Sequence, residues 1–449
     1  MKQYFGSQTE HAQENFPFTY PIVHTELVSS IAEIKEAAAQ ANKQAGDLPS
    51  TIADAIVQAS KEVSLGLFND QFILSGLQGG AGTSINMNVN EVIASRAGEI
   101  LQEKNDEQPI HPNDHVNKSQ STNDVNPSAL KIASIRLLTQ ILVVIDQFTD
   151  AMEKKAEEFT GINKLGRTHL QDAVPTTLSE EFRSYIAVIE RDRQRMSEAI
   201  PYLFELNLGG TAIGNCVNAS PAYIDAVYKE LCAITKLQVK PVNNFMSQTS
   251  SQSDFVMVSH ALVTLTLDLS KIASDIRLLS SGPKGGFGEL ILKEHQSGSS
   301  IMPGKVNPVL PETVNQLYFL VSGNNSTIEQ AAQASQLELG VMFPILADRL
   351  LSSLKMTHEV LHQFSVQCIP SIQANKEMCV SHLEMSSAYA TFLSPLLGYE
   401  MVSGIVKEAL KDHKTIRQIV LDKKLLSEQQ LDAALGTNKN TNINKEEGE

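Results

Sequence analysis

The chain has 449 residues and a formal net charge of −15, and 42% of its residues are hydrophobic and 19% charged. These values are typical of a soluble globular protein with two or three domains. The acidic balance, without a cluster of Lys and Arg, argues against a nucleic-acid partner.

The ends and the cysteines predict where the protein is found. The N-terminal residues form no apolar secretory segment, and no apolar run is long enough for a membrane span. None of the four cysteines is in a CxxC spacing. We therefore expect reduced thiols and a cytoplasmic protein without a membrane partner.

Helical periodicity dominates the chain. Apolar side chains recur on one face of residues 128–158 and predict a long, deeply buried helix. Further helices are predicted over residues 178–199, 255–279, 309–335, 341–366 and 373–394. Within 255–279, apolar residues alternate spacings of three and four at Phe255, Val258, Leu262, Leu265, Leu269, Ile272, Ile276 and Leu279. This stripe predicts a bundle of long helices, and it could be buried within one subunit or between subunits.

Two polar segments precede predicted helices. The glycine-rich segment 78–91 exposes backbone N–H groups that can bind a carboxylate, and Thr83 adds a hydroxyl. Such a segment could equally be a tight turn. The segment 111–124 leads into the buried helix, so Ser121, Thr122 and Asn123 should lie at a helix N-terminus, where the dipole favours anions.

Two further segments carry candidate chemical groups. Thr168 and His169 lie within residues 166–182, although a lone His is more often a structural donor. The loop SGSSIMPGKVNP, residues 297–308, holds hydroxyl, ammonium and amide groups that suit a small anion; these are Ser299, Ser300, Lys305 and Asn307. A hydroxyl beside a cation can act as a base, but such a loop could also be a surface linker.

Metal and cofactor sites are not predicted. His111 and Asp114 could be metal ligands, but no third or fourth partner has a suitable spacing. No P-loop, G-x-S-x-G elbow or dinucleotide fingerprint is present. These absences argue against the common NTPases, hydrolases and dinucleotide-dependent enzymes.

Together these segments resemble the fumarase/aspartase superfamily, whose members break a C–N or C–O bond by elimination to give fumarate. The motifs follow in family order: GSQT, GAGTSINMNVNE, HPNDHVNKSQSTND, GRTHLQDAVPTTL, GGTAIG and GSSIMPGKVNP. The resemblance spans nearly the whole chain. It implies a mainly α fold of three domains, here 1–120, 121–372 with the long-helix bundle, and 373–449 with a disordered tail.

The resemblance also implies an assembly. The middle domain would contribute five long helices to a twenty-helix core of a homotetramer. Each active site would take loops from three subunits.

Details of the motifs favour the aspartase branch, which deaminates L-aspartate. QGGAGTS and STND are closer to aspartases than to fumarases, as are LPETVNQ and IQANKEMC. By resemblance, Ser299 would remove a proton from Cβ with help from Lys305 and loop N–H groups. The aci-carboxylate dianion would be held by Thr83, Ser121, Thr122 and Ser300. The α-carboxylate and the amino group would be held by Asn123, Thr168, His169, Lys305 and Asn307.

Some positions depart from the family pattern, which leaves the substrate open. They are His11, Asn215, Cys216, Met246, Ser259, Gly340 and Phe343. One alternative is a fumarate hydratase, in which His169 and Glu312 could protonate a leaving water. Another is a protein of the same fold with an altered substrate or lost turnover.

Overall fold

Helices make up most of residues 2–434, the part of the chain that the computed structural model describes. The predicted tail, beyond residue 434, lies outside this range. The α-helices are α1 (Ser7–Asn15), α2 (Thr25–Ala45), α3 (Ser50–Ser64), α4 (Thr83–Glu103), α5 (Thr122–Glu158), α6 (Leu178–Ala199), α7 (Pro221–Thr235), α8 (Phe245–Ser250), α9 (Ser253–Leu279), α10 (Val309–Gln333), α11 (Phe343–Gln363), α12 (Lys376–Met385), α13 (Ala390–Leu397), α14 (Tyr399–Asp412), α15 (Ile416–Asp422) and α16 (Glu428–Ala434).

Strands are few and short in the described residues. They form three two-stranded sheets: β1 (Asn163–Thr168) antiparallel to β2 (Gln171–Thr177), β3 (Glu205–Leu206) parallel to β4 (Lys240–Pro241), and β5 (Leu290–Ile291) antiparallel to β6 (Gln373–Ala374). The predicted mainly α class is therefore confirmed.

The chain divides into two compact units. The first unit comprises Met1–Val144, Asp192–Leu267 and Gln316–Val360. The second unit comprises Ile145–Arg191, Asp268–Asn315 and Leu361–Glu449. The three-domain division at residues 120 and 372 follows from the family resemblance and stays a prediction.

Helix α2 lies in the core of the first unit. Its apolar residues Leu27, Ile31 and Ile34 are buried, and the helix packs against α3 and α7. The helix ends at a residue in the left-handed conformation, Gly46, with φ of 79°. Lys35 is also buried in this helix, and a buried ammonium requires hydrogen-bond partners inside the protein.

Helix α5 begins before the predicted residue 128, at Thr122. Pro127 therefore lies inside the helix and cannot donate a hydrogen bond to the carbonyl of Asn123, four residues earlier. Asn207 replaces this donor, because its Nδ2 lies 3.1 Å from the Asn123 carbonyl oxygen. The helix can thus continue through the proline into the polar segment that precedes it.

The apolar stripe predicted over 255–279 is a buried face of α9. All of its residues are buried within the chain, from Phe255 in the first unit to Leu279 in the second. The prediction of a long helix is confirmed. The stripe is buried within one subunit, which decides between the two alternatives that the pattern left open.

The second unit has an aromatic centre and a C-terminal helical cluster. Phe148 stacks on Phe364 with ring centroids 5.7 Å apart, and Phe159 meets Phe182 edge-on. The single helix predicted over 373–394 is wrong. A break after α12 follows Ser386, whose hydroxyl accepts the N–H of Ala388 and starts a short turn before α13.

Two helices are long and apolar enough to cross a membrane by length and composition alone. They are α5 and α9, and 72% and 56% of their most apolar stretches are buried inside the protein. Such burial is typical of core helices in a soluble protein. The hydrophobicity of α5 and α9 is therefore explained by the core.

Candidate active site

The glycine-rich segment forms a tight, left-handed turn before α4. Gly80, Ala81 and Gly82 have φ of 77°, 54° and 83°. A Cβ at Gly82 would lie 2.5 Å from Asn126 Nδ2, and this nitrogen donates to the Gly82 carbonyl at 3.0 Å. The position therefore requires glycine, and α5 holds the turn. Thr83 opens α4 with an exposed side chain, whose hydroxyl donates to the Gly80 carbonyl at 2.8 Å.

A buried carboxylate fixes the first turn of α5. Asp124 is fully buried and accepts the N–H groups of Ser121, Gly209 and Thr211 at 2.9, 2.9 and 3.0 Å. Burial raises the pKa of Asp124 to about 6, although these N–H groups and the Lys35 ammonium favour the charged form. The carboxylate thus ties the start of α5 to the loop after β3.

The predicted residues Ser121, Thr122 and Asn123 lie together in this first turn, and all three are half-buried. The Asn123 Nδ2 donates to the Ala212 carbonyl at 2.8 Å. Ser121 lines an open cavity of about 990 Å³, together with residues from segments 113–120 and 211–220. This part of the first unit therefore presents hydroxyl and amide groups beside a helix N-terminus, an arrangement that suits an anion.

The predicted residues Thr168 and His169 lie at the exposed tip of the β1–β2 hairpin in the second unit. His169 and Leu170 form a two-residue turn with φ of 56° and 58°, as type I′ hairpins require. At Gly166 a Cβ would lie 2.6 Å from the Val174 carbonyl oxygen, so the strands approach closely where the register shifts. The hairpin thus displays both side chains to solvent.

A buried glutamate holds the base of this hairpin. Glu289 has no exposed side-chain surface, and its carboxylate lies 2.7 Å from Arg167 Nη2, 2.9 Å from His382 Nδ1 and 3.4 Å from Lys164 Nζ. Burial alone would raise the pKa of Glu289, but the Arg167 hydrogen bond, the Lys164 charge and the His382 hydrogen bond hold it below its usual value. We name Glu289, Arg167, Lys164 and His382 the hairpin clamp.

The signature loop 297–308 lies in the second unit. The Oγ of half-buried Ser299 accepts the backbone N–H groups of Ile301 and Met302 at 3.2 and 3.1 Å. Ser300 and Lys305 have exposed side chains. Two N–H donors directed at one hydroxyl oxygen stabilise negative charge on that oxygen.

The same loop closes on itself through Gly298. A Cβ at this position would lie 1.6 Å from the Lys305 carbonyl oxygen, so any larger residue would force the loop to move. The Gly298 carbonyl accepts from Asn307 Nδ2 at 2.6 Å. The predicted residue Asn307 therefore stabilises the loop that carries Ser299.

His111 and Asp114 lie in a short π-helical turn, Pro112–Val116, and form a cap. The His111 Nδ1 accepts the Asp114 backbone N–H at 3.1 Å. Across residues 2–434, no group of three or more His, Cys, Asp or Glu side chains could hold a metal ion. This pair is thus accounted for by the local turn.

Two departures from the family pattern have a packing explanation. A Cβ at Gly340 would lie 2.2 Å from Gln252 Nε2, so the glycine leaves space for the glutamine. Phe343 is buried, and its ring lies 3.3 Å from the position of a Cβ at Gly82. His11 is exposed on α1. Nothing in the structure explains the histidine at that position.

Known proteins match this chain over nearly its whole length. A family described as Lyase matches residues 1–323, and one described as Fumarase C C-terminus matches residues 390–439. The aspartate ammonia-lyase of Bacillus subtilis (strain 168) is 43% identical over 433 residues, 96% of this chain and 91% of that protein. The chain belongs to the fumarase/aspartase superfamily.

Solved structures of superfamily members share its fold. The fumarate lyase:delta crystallin from Brucella melitensis, bound to cobalt, has a TM-score of 0.93 and 41% identity, covering 97% of this chain and 95% of that chain. The class II fumarase from Schistosoma mansoni has a TM-score of 0.91 and 32% identity, with the same coverage. The predicted superfamily fold is therefore confirmed.

Sequence reasoning missed the buried polar residues beneath the superfamily motifs. Asp124, Asn126 and Asn207 hold the predicted binding segments of the first unit, and Glu289 holds the hairpin of the second. Asp124 lies inside a recognised motif. Lys35 lies beside Glu36 in an amphipathic helix that also contains Lys43, and no pattern in the sequence distinguishes the buried lysine from the other one.

Proposed function

We propose that this chain catalyses the reversible deamination of L-aspartate to fumarate and ammonia. The observation that carries the proposal is the 43% identity to an aspartate ammonia-lyase over 96% of the chain. The identity to the fumarase of Schistosoma mansoni is lower, at 32%. The motifs QGGAGTS and STND also support ammonia, and not water, as the leaving group.

Ser299 acts as the base that removes a proton from Cβ of L-aspartate. An unperturbed serine is a weak base, so its alkoxide form must be stabilised. The N–H groups of Ile301 and Met302, which donate to Ser299 Oγ, support this role. By resemblance, Lys305 adds a positive charge to the same loop.

The electron pair released at Cβ is first delocalised into the adjacent carboxylate as an aci-carboxylate dianion. Hydroxyl donors stabilise such a charge more strongly than they stabilise the substrate, which lowers the barrier. This role falls to Thr83, Ser121, Thr122 and Ser300. The position of Ser121 and Thr122 in the first turn of α5 supports it, because a helix N-terminus favours negative charge.

The remaining substrate groups are held by the other predicted residues. Thr168, His169, Lys305 and Asn307 bind the α-carboxylate, and Asn123 with Thr83 and His169 positions the amine. The electron pair then forms the C=C bond while the C–N bond breaks, and the ammonium leaves as neutral ammonia. No strong general acid is needed for this leaving group.

The assembly is part of the proposal. Four copies form a homotetramer in the cytoplasm, with a core of long helices and active sites that take loops from several subunits. Exposed apolar residues on α9 and α10, Leu267, Phe319 and Leu320, support association, since large apolar side chains are costly to leave in water. The domains 1–120, 121–372 and 373–449 remain part of this proposal.

The test is fumarate formation, followed by its ultraviolet absorbance, from L-aspartate and in parallel from L-malate. Turnover of L-aspartate alone supports the proposal. Turnover of L-malate alone would establish the second candidate, a fumarate hydratase, which the shared fold with class II fumarase favours. No turnover of either substrate would contradict both the deamination and the hydratase activity. The remaining alternatives would then be a different substrate or a loss of activity.

A further inference from the structure

Lys35 is a buried cation whose hydrogen bonds go to neutral groups. Its side chain is fully buried in α2, and its Nζ donates to Asn117 Oδ1 at 2.8 Å and to Gln120 Oε1 at 3.0 Å. Below about pH 7, where Lys35 is protonated, its ammonium has donors and no acceptor. Both amides must therefore turn their oxygen atoms, and not their NH₂ groups, towards Lys35.

The orientation of Asn117 determines the orientation of the next amide. Asn117 Oδ1 also lies 3.1 Å from Asn86 Nδ2, and two carbonyl oxygens cannot hydrogen-bond to each other. Asn86 must therefore present its NH₂ group. The Asn86 Oδ1 has no hydrogen-bond partner among residues 2–434. The contact with Asn117, and not a contact of this oxygen, therefore fixes the orientation of the Asn86 amide.

The same NH₂ group reaches the predicted substrate-binding hydroxyl. Asn86 Nδ2 lies 3.3 Å from Thr122 Oγ1 and donates to it. A hydroxyl that accepts here keeps its own hydrogen for another partner. Lys35 and Asn86 thus both donate to Asn117 Oδ1, and Asn86 also donates to Thr122 Oγ1. The orientation fixed by Lys35 is passed through Asn117 and Asn86 to Thr122, and we name this chain of contacts the amide relay.

A second amide prevents the relay from reversing. Gln120 Nε2 donates to the Val116 and Lys118 carbonyls at 3.0 and 3.1 Å, which leaves Gln120 Oε1 facing Lys35. Asn117 Nδ2 donates to the Gln120 carbonyl at 3.3 Å. Rotating either amide would lose these bonds and direct an NH₂ group at a cation.

We propose that Lys35 is a positioning residue whose amide relay makes the Thr122 hydroxyl donate to the negatively charged oxygens of a dicarboxylate substrate. Lys35 itself does not touch the substrate. Without the relay, the Thr122 hydrogen could turn towards Asn86, and the hydroxyl lone pairs would then face the substrate anion. This inference rests on the proposed function, because that function places Thr122 beside the substrate.

The test is a double-mutant cycle with Lys35→Met and Thr122→Val, measured as kcat/KM for fumarate formation at about pH 6, where Lys35 is protonated. We expect a loss of about 100-fold for Thr122→Val, as for an oxyanion donor, and of about 10-fold for Lys35→Met. Because Lys35 acts through Thr122, the double variant should be no slower than Thr122→Val. Losses that multiply would overturn the proposal.

Lys131→Met is the matched control. Lys131 is also buried, but its ammonium donates to Asp254 Oδ2 at 2.6 Å, Gln248 Oε1 at 3.1 Å and two carbonyls. We expect this variant to lower the melting temperature and to keep kcat/KM near wild type. A loss in Lys131→Met equal to that in Lys35→Met would assign both to general destabilisation and overturn the relay.

A second variant keeps the test valid if Lys35→Met does not fold. Asn86→Ala removes the final donor of the relay, and its loss should likewise disappear in the Thr122→Val background. If wild type uses L-malate, the cycle is run with L-malate. The same double-mutant cycle can be measured without turnover, as the affinity of each variant for fumarate in calorimetry. A failure of the relay is then distinguished from a failure of the proposed activity.

Discussion

Lys35 and Asp124 place two charged groups in the interior of the first unit, beneath residues that we assign to the substrate. Burial lowers the pKa of Lys35 to about 7 and raises that of Asp124 to about 6. Removing charges from water is costly, so the burial of these two groups does not by itself stabilise the fold. Both act on the segment 117–124, whose geometry decides where the hydroxyl groups point.

The lowered pKa of Lys35 predicts a pH dependence of stability. Between about 7 and the ordinary value of 10.5, the unfolded chain holds a proton that the folded chain lacks. The Lys35 contribution to the free energy of unfolding therefore rises with pH, by about 1.4 kcal/mol per pH unit at most. We expect the stability of wild type relative to Lys35→Met to increase between about pH 7.5 and 9.5.

Denaturant unfolding at fixed protein concentration measures this difference. The charge of Asp124 favours the protonated form of Lys35, and it therefore opposes the lowering of the Lys35 pKa by burial. An equal pH dependence in the two proteins would show that Lys35 is charged throughout this range, contrary to the prediction.

The proposed role of Ser299 as the base can be tested by a single substitution. Ser299→Ala removes the proposed base and should lower kcat by about 10²–10⁴-fold without changing the melting temperature, because the loop around it is largely exposed. Initial rates of fumarate formation measure the loss. Lys293→Ala, an exposed residue before the loop, is a control that should retain activity; near-full activity in Ser299→Ala would refute the assignment.

Residues whose chemistry is visible in a motif could be predicted, and residues that act through buried hydrogen bonds could not. The sequence predicts Ser121, Thr122 and Ser299 as site residues because polar, hydroxyl-rich segments stand out between apolar helices. Lys35 acts through amides distant in the sequence, Asn86 and Asn117. Only the fold brings these side chains together.

At the scale of elements, the β1–β2 hairpin depends on the hairpin clamp. Glu289→Gln would leave Arg167 without its buried carboxylate and Lys164 with Glu181 alone, and breaking a buried pair costs about 3–5 kcal/mol. We expect a lower melting temperature and a raised KM, because Thr168 and His169 lie at the tip of this hairpin. Thermal unfolding and steady-state kinetics measure the two effects.

Glu153→Gln is the matched control for the clamp. Glu153 pairs with Arg183 at 3.0 Å, and 43% and 51% of the two side chains are exposed. Exposed pairs contribute little to stability, so this variant should behave as wild type. If Glu289→Gln lowered stability and left KM unchanged, the clamp would stabilise the unit without positioning the hairpin.

Long helices were predictable as elements because their apolar period persists over many turns. The stripe of α9 agrees with the structure from end to end. Boundaries were less predictable. The start of α5 depends on Asn207, which takes over the carbonyl released by Pro127, and the break after α12 depends on a single serine turn. Neither effect appears in a periodicity.

At the scale of the whole molecule, the proposed shared sites predict complementation between inactive variants. Ser299→Ala and Thr122→Val are each expected to be nearly inactive. If the two residues serve a site from different subunits, mixed tetramers contain some sites with both residues intact. Dissociating and reassociating the mixture should restore part of the activity, while light scattering reports four copies.

The control for complementation is each variant carried through the same procedure alone. A mixture that stays as inactive as its components, although subunits exchange, would mean that Ser299 and Thr122 serve a site from the same subunit. A stable, active monomer would contradict the assembly altogether. Apolar helix faces alone could not decide this, because burial within a chain and association between chains produce the same pattern.

The reverse reaction tests the proposed deamination most directly, with fumarate and ammonium supplied together in water and the product identified by NMR. Both nucleophiles are then present, so the enzyme chooses between forming a C–N and a C–O bond. We expect L-aspartate as the product and no L-malate. Formation of L-malate would show that water is the leaving group in the forward reaction and would contradict the proposed deamination.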